Sequence, residues 1–269
     1  MELQSRLDEL KRRGLGLIAV SYDPVDTLAA FAARRGITFP MVSDTGSEII
    51  KRYGLLNETA KPGTRAFGIP HPGMFVLNAR GEVVARFFEA EYQDRFTIAT
   101  VLAHLDGLAH LDGAATPKSA AAPVRAAHLD VRLSATDETA APGNRVSLLV
   151  DLTPGPKIHV YAPRAEGYIP VSITLDPNPL LKIHDARFPP SETYYFAPLK
   201  ERVPVYQKRF TIAQDVTISA SREAQEALKG KTELRITGTL GYQACDDKVC
   251  FKPESVPLAW TLRLKPLDR

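Results

Sequence analysis

Gly241-Tyr242-Gln243-Ala244-Cys245-Asp246-Asp247-Lys248-Val249-Cys250-Phe251-Lys252-Pro253 carries both cysteines of the chain, near the end of a run that otherwise reads as β-strands. A disulfide across so short a loop removes little entropy from the unfolded chain and contributes roughly 2 kcal/mol at best. Cysteines flanking a tight turn between two strands come within bridging distance, and a strained or exposed bridge exchanges readily. The residues alone leave three readings open: a redox-active pair, a passive turn disulfide, or two free thiols. Zinc is disfavoured, because there is no further cysteine and none of the six histidines stands at ligand spacing nearby.

Outward from this stretch, the second half of the chain alternates with a period of two. Leu129, Val131 and Leu133 do so, then Val146, Leu148 and Val150, then Val171, Ile173 and Leu175, and finally Leu258, Trp260, Leu262 and Leu264. Such runs, separated by Pro, Gly and Asn clusters, predict an antiparallel sandwich. The first half has a different grammar. Leu3, Leu7 and Leu10 at helical spacing, an apolar run from Leu15 to Val20, a helix over Leu28 to Ala33 and a strand over Phe39 to Val42 predict α/β structure. A helix over Glu48 to Tyr53, a hairpin of Met74 to Leu77 with Val83 to Phe88, and a helix over Phe96 to Leu105 complete it. Residues 112–124 lack apolar periodicity and contain prolines, which predicts a linker between a first domain over 1–111 and a second over 125–269.

At 269 residues, with 44% apolar and 24% charged residues, the chain has room for two cores of ordinary size. A net charge of +3 gives no argument for nucleic acid, and Lys11-Arg12-Arg13 reads as a solvated helix end. No stretch reaches the length of a transmembrane helix, and the first residues lack the basic-then-apolar pattern of a signal peptide.

In the first half, Gly68-Ile69-Pro70-His71-Pro72-Gly73-Met74-Phe75-Val76-Leu77 and Phe39-Pro40-Met41-Val42-Ser43-Asp44 resemble the redoxin branch of thioredoxin-like proteins, which includes the alkyl hydroperoxide reductase and thiol-specific antioxidant family. The resemblance covers about residues 1–108. It implies that Pro72 is a cis proline set against a reactive cysteine, a redoxin-site remnant here, since the half contains no cysteine. Redoxins carry that cysteine at the start of the helix that here begins at Met1, and no capping residue precedes Leu3. The expectation is therefore a domain lacking its first strands and cysteine motif, with a gap in its parallel sheet; reading the codons upstream of Met1 tests it.

In the second half, the Tyr242-Gln243-Ala244-Cys245 to Cys250-Phe251-Lys252-Pro253 pattern resembles the N-terminal, immunoglobulin-like domain of the DsbD thiol:disulfide interchange protein. Lys157-Ile158-His159-Val160-Tyr161-Ala162-Pro163 and Val205-Tyr206-Gln207-Lys208-Arg209-Phe210-Thr211-Ile212 extend the similarity over about residues 125–265. The best-known members place one more residue between the cysteines. The resemblance implies that Cys250 attacks a partner's disulfide and Cys245 resolves the mixed disulfide. Lys248 near Cys250, and Asp246 and Asp247 beside Cys245, point the same way. Tyr194, Tyr195 and Phe196 fall where the family has a shielding cap loop, and read without it as strand or core aromatics. Tyr161 and His159 lie two apart on one strand and share a face if it is regular, so both could look toward the cysteines; Tyr161 is expected to be the nearer, and His159 to look toward solvent beyond the site.

Together these readings predict a two-domain chain, an incomplete thioredoxin-like α/β domain followed by an all-β immunoglobulin-like sandwich. They predict a thiol-disulfide oxidoreductase, with antioxidant peroxiredoxin-like kinship and no cofactor. Its partners would be thioredoxin-like or redoxin thiols, including its own complete redoxin domain, or a membrane electron donor. The family resemblance implies a periplasmic or extracytoplasmic location. The competing readings are a non-catalytic binding sandwich with a structural disulfide, and the remnant of a thiol peroxidase.

Overall fold

Leu7 and Leu10 are buried on one face of α2 (Leu7–Arg12), which follows the single-turn α1 (Glu2–Ser5). A computed structural model describes residues 2–57, 61, 63, 69–89, 93–109, 123–196 and 200–265, and divides into two units, Met1–Ile98 and Ala99–Arg269. Most of the expected linker lies outside the described residues.

In the first unit, β1 (Ala19–Ser21) pairs in parallel with β2 (Met41–Ser43). The strand expected over Leu15 to Val20 shortens to three residues, because only Ala19, Val20 and Ser21 find partners on β2. Between them α3 (Val25–Arg35) ends at Gly36, whose φ of 61° is the left-handed conformation that glycine adopts without a Cβ penalty. Asp44 then receives α4 (Glu48–Arg52): its carboxylate accepts the Glu48 and Ile50 backbone N–H groups, each at 2.9 Å. The hairpin of β3 (Gly73–Leu77) and β4 (Val83–Phe88) sets Gly73 opposite Phe88, whose ring lies where a Cβ at residue 73 would be. Phe75 packs between the rings of Tyr53 and Phe88, and Phe87 meets Phe96 of β5 (Arg95–Phe96). Among the described residues β1–β2 and β3–β4 are separate two-stranded sheets.

After α5 (Ile98–Ala109) the second unit is β-rich. Its strands are β6 (Val124–Arg125), β7 (Leu129–Ala135), β8 (Thr139–Ala140), β9 (Asn144–Pro154), β10 (His159–Tyr161), β11 (Ser172–Leu175), β12 (Leu181–Arg187), β13 (Glu192–Phe196), β14 (Glu201–Tyr206) and β15 (Phe210–Ile218). The helix α6 (Arg222–Leu228) precedes β16 (Glu233–Tyr242), β17 (Ala244–Cys245) and β18 (Glu254–Leu264). One sheet runs β12-β15-β9-β7-β6, a second β11-β16-β18-β8, and a third β13-β14-β10-β17. Val131, Leu148, Val150 and Ile212 from the first share one core with Ile236, Leu240, Leu258 and Trp260 from the second. The period-two alternation thus buries its apolar side between sheets. No helix among the described residues is long and apolar enough to cross a membrane.

The helix expected to close the first half instead packs on this unit. Thr100 of α5 hydrogen-bonds Thr136 at 2.8 Å, and His104 Nε2 lies 2.8 Å from Asp215 of β15. Asp215 is 1% exposed and also accepts from Ser147 Oγ (2.6 Å), Arg145 Nε (3.1 Å) and Arg187 (3.1 Å). Burial alone would raise its pKa, but the His104 hydrogen bond, the Arg187 charge and Ser147 outweigh that and hold it well below 3.8. A depressed carboxylate stabilises the fold fully above its unfolded pKa and loses that contribution as pH falls through the folded value. Asp215→Asn, which leaves these cations without their counter-charge, is expected to destabilise the chain by about 3 kcal/mol at neutral pH. Urea unfolding should show the gap between the two proteins closing as pH drops below 3.8.

Candidate functional site

The third sheet uses its two faces differently. On β10, Val160 points into the shared core with Ala244 and Tyr206, its neighbours across the ladders. Tyr161 points the other way and clusters with Val203 and Val205 of β14, Ala165 and Cys245, with Tyr168 and Tyr194 packed against them. The register fixes this: His159 stands opposite Cys245, and Tyr161 opposite Val205. Directly opposed residues of an antiparallel pair project to the same face.

The motif around the cysteines explains its own composition. Tyr242 is fully buried and donates from its hydroxyl to the Ala127 carbonyl at 2.6 Å, anchoring the end of β16 in the core. Gln243 reaches across the hairpin to the Phe251 carbonyl at 2.9 Å, and the Phe251 N–H returns to Ala244 at 2.9 Å. Asp246 closes the turn, its Oδ1 accepting the backbone N–H groups of Lys248 and Val249, each at 2.7 Å. These two bonds, that to Val249 first, hold the Asp246 carboxyl below its ordinary range. Its charge is therefore engaged within the turn.

Cys245 and Cys250 form a disulfide, with Cα atoms 4.0 Å apart. The pair is asymmetric: Cys245 is 1% exposed, whereas Cys250 is on the surface. The Tyr161 hydroxyl lies 3.6 Å from Cys250 Sγ and donates to it, since a disulfide sulfur has no proton. Tyr161 stacks on Tyr168, with ring centroids 4.2 Å apart, and Tyr168 donates to Glu201 at 2.7 Å. That bond pushes the Tyr168 phenol up to about 12, and burial raises Tyr161. Both hydroxyls are thus proton donors at physiological pH.

The expected aromatic trio lies on a regular strand, β13, and alternation divides it. Tyr194 faces the cluster and packs on His159, with ring centroids 4.6 Å apart. Tyr195 faces away, 53% exposed, with the Arg202 guanidinium 5.9 Å from its ring centroid. Phe196 is half-buried on the Tyr194 side, at the last described residue before 200. His159 corrects an expectation: it is 3% exposed and beside the pair, its ring 5.5 Å from that of Tyr161. Burial lowers its pKa, with the Asp246 charge opposing. Tyr168 and Glu201 escaped the sequence reading; an aromatic in the loop between Pro163 and Pro170 was the available signal for the first. Pro72 lies in the first unit, lining an apolar cavity of about 500 Å³ with Phe39, Met41, Met74 and Phe87. Its peptide bond is trans, contrary to what the redoxin resemblance implies, and residues 1–98 offer no cysteine for it to lie against.

If Tyr194 shields the pair, Tyr194→Ala should speed alkylation of the reduced cysteines severalfold, while Tyr195→Ala should leave the rate unchanged. Equal rates for both variants and the parent chain would remove the shield.

Comparison with known proteins finds two separate matches along the chain. Residues 1–86 match the AhpC/TSA family, and residues 130–258 match the N-terminal region of the thiol:disulfide interchange protein DsbD. Peroxiredoxin Bcp of Escherichia coli is 28% identical over 81 residues, 30% of this chain and 51% of that protein. Peroxiredoxin Bcp of Xanthomonas campestris is 29% identical over 84 residues, 31% of this chain and 52% of that protein. The chain thus spans about half the length of the curated relatives it matches. Among solved structures, the N-terminal periplasmic domain of ScsB from Proteus mirabilis aligns with a TM-score of 0.36 and 17% identity, over 52% of this chain and 49% of that one. The reduced DsbD N-terminal domain of Neisseria meningitidis aligns with a TM-score of 0.30 and 16% identity, over 44% of this chain and 81% of that one. The chain therefore joins a segment that matches the AhpC/TSA family to one that matches the N-terminal region of DsbD.

Proposed function

We propose that the second unit is an immunoglobulin-like thiol-disulfide exchange domain that relays reducing equivalents through Cys245 and Cys250 to a thioredoxin-like or redoxin partner. One observation carries the reading: a single cysteine of the pair is exposed, and the other is buried among aromatic side chains. Exchange needs one thiolate that a partner can approach and a second that meets only the first. Cys250 has the exposure for attack, and Cys245 the enclosure for resolution. The matches to two families of redox proteins support the same chemistry.

An extracytoplasmic location fits a disulfide in the resting state.

Cys245→Ser should trap a mixed disulfide with a thioredoxin-like protein on gel electrophoresis without reductant, and Cys250→Ser should not. The reduction potential of the native pair should lie above about −300 mV, the level below which structural bridges fall. A lower potential together with no trapped species would make the disulfide a staple.

A further inference from the structure

We propose that His159 is the base that takes the proton from Cys245 when Cys245 resolves the mixed disulfide on Cys250. The proposal rests on the exchange reading above and assigns a residue to its second step.

That step has a physical difficulty. Cys250, at the surface, loses its proton to water, attacks a partner disulfide and releases the first partner thiolate, leaving Cys250 joined to the partner. Cys245 must then ionise, attack Cys250 Sγ and expel the second partner thiolate. Two electrons pass from the pair to the partner, and the Cys245 proton must leave. Cys245 is 1% exposed and in an apolar cluster with Val203 and Val205, an environment that disfavours a thiolate without a local acceptor.

The side chains around it narrow the choice. Tyr161 is of the same face and strand as His159, and its phenol is raised, which makes it a donor. Asp246 is lowered and already accepts two backbone N–H groups of its turn. From β13, Tyr194 covers the His159 ring, and Glu192, two residues before it, pairs with Lys208 at 3.0 Å. From β14 the facing residues are Val203 and Val205, without charge. Glu201 receives the Tyr168 hydroxyl. His159 remains: directly opposite Cys245 on the adjacent strand, 3% exposed, and held edge-on to Tyr161 and beneath Tyr194. Opposed side chains of such a pair have Cβ atoms about 5 Å apart, within reach of an imidazole and a thiol. Burial keeps the ring neutral at physiological pH, the form that accepts a proton. The imidazolium then passes the proton to the departing thiolate or to solvent.

The test uses the reduced full chain, which has no thiol besides this pair, and the chromogenic aryl disulfide dithiobis(nitrobenzoate) in stopped flow. A first phase, proportional to reagent concentration, reports attack by Cys250. A second, independent of concentration, reports resolution by Cys245. His159→Gln is expected to leave the first phase intact and slow the second about 100-fold at neutral pH. Its rate should then climb with pH past the ~8.5 of an exposed thiol, because burial disfavours the Cys245 thiolate. His159→Tyr, which keeps a ring against Tyr161 and Tyr194, should show the same slow second phase. A second phase with unchanged rate and pH profile in both variants, or equal slowing of both phases, would overturn the base. Absence of a first phase in the native chain would overturn the exchange reading itself.

Discussion

Everything at the thiol site follows from the alternation of three residues on β10, held between β14 on one side and β17 on the other. Val160 is committed to the core by its ladder neighbours Ala244 and Tyr206, all of them buried. With that side chain fixed, His159 and Tyr161 have no choice of direction, because side chains along a strand alternate between faces. A slip of one residue in β17 would send Cys245 into the apolar core and Ala244 toward the site, setting a sulfur against Val160 and Tyr206. The energetics of the core thus specify the geometry of the chemistry. No separate interaction is needed to aim the tyrosine or the histidine.

The turn between the cysteines is specified just as locally. Asp246 accepts two backbone N–H groups that the tight loop would otherwise leave to solvent, and Gln243 ties the returning arm to the outgoing one. Asp246 and Asp247 entered the sequence reading as a negative field on Cys245. The structure gives Asp246 a different first duty, which is to shape the loop that brings Cys250 back to Cys245. Its charge reaches the histidine as well, opposing the burial that keeps that ring neutral.

Local signals were legible and long-range ones were not. The strand runs through Leu129, Leu148 and Trp260 declared themselves because each buries one face in a single core, so period-two patterning is written in the residues. The Met74 and Val83 hairpin was equally plain. The strand before α3 shrank because its extent depends on a partner segment only three residues long, which no local window reveals. Tyr194 and Tyr195 are adjacent and chemically alike, and only their place in β13 separates a shielding ring from an exposed one. His159 was misplaced for a related reason. Its burial comes from β13 and β17, which lie 30 or more residues away in the chain and enter its surroundings only through pairing. The same holds for α5: its Thr100 and His104 look like ordinary surface positions of a helix until Thr136 and Asp215 are set against them.

The shortness of β17 bears on what reduction does to the fold. Ala244 is 1% exposed in the main core, and the strand before it is pinned by Tyr242. Opening the disulfide would therefore leave in place both the strands on which Cys245 sits and the hydrogen bonds of Asp246 and Gln243 that shape the turn. On this argument the oxidised and reduced forms would share one scaffold, with any difference confined to a few residues at a sheet rim. For the proposed exchange, little of the driving force would then be spent on rearrangement, and the direction of electron flow would be left to the relative potentials of the two thiol pairs.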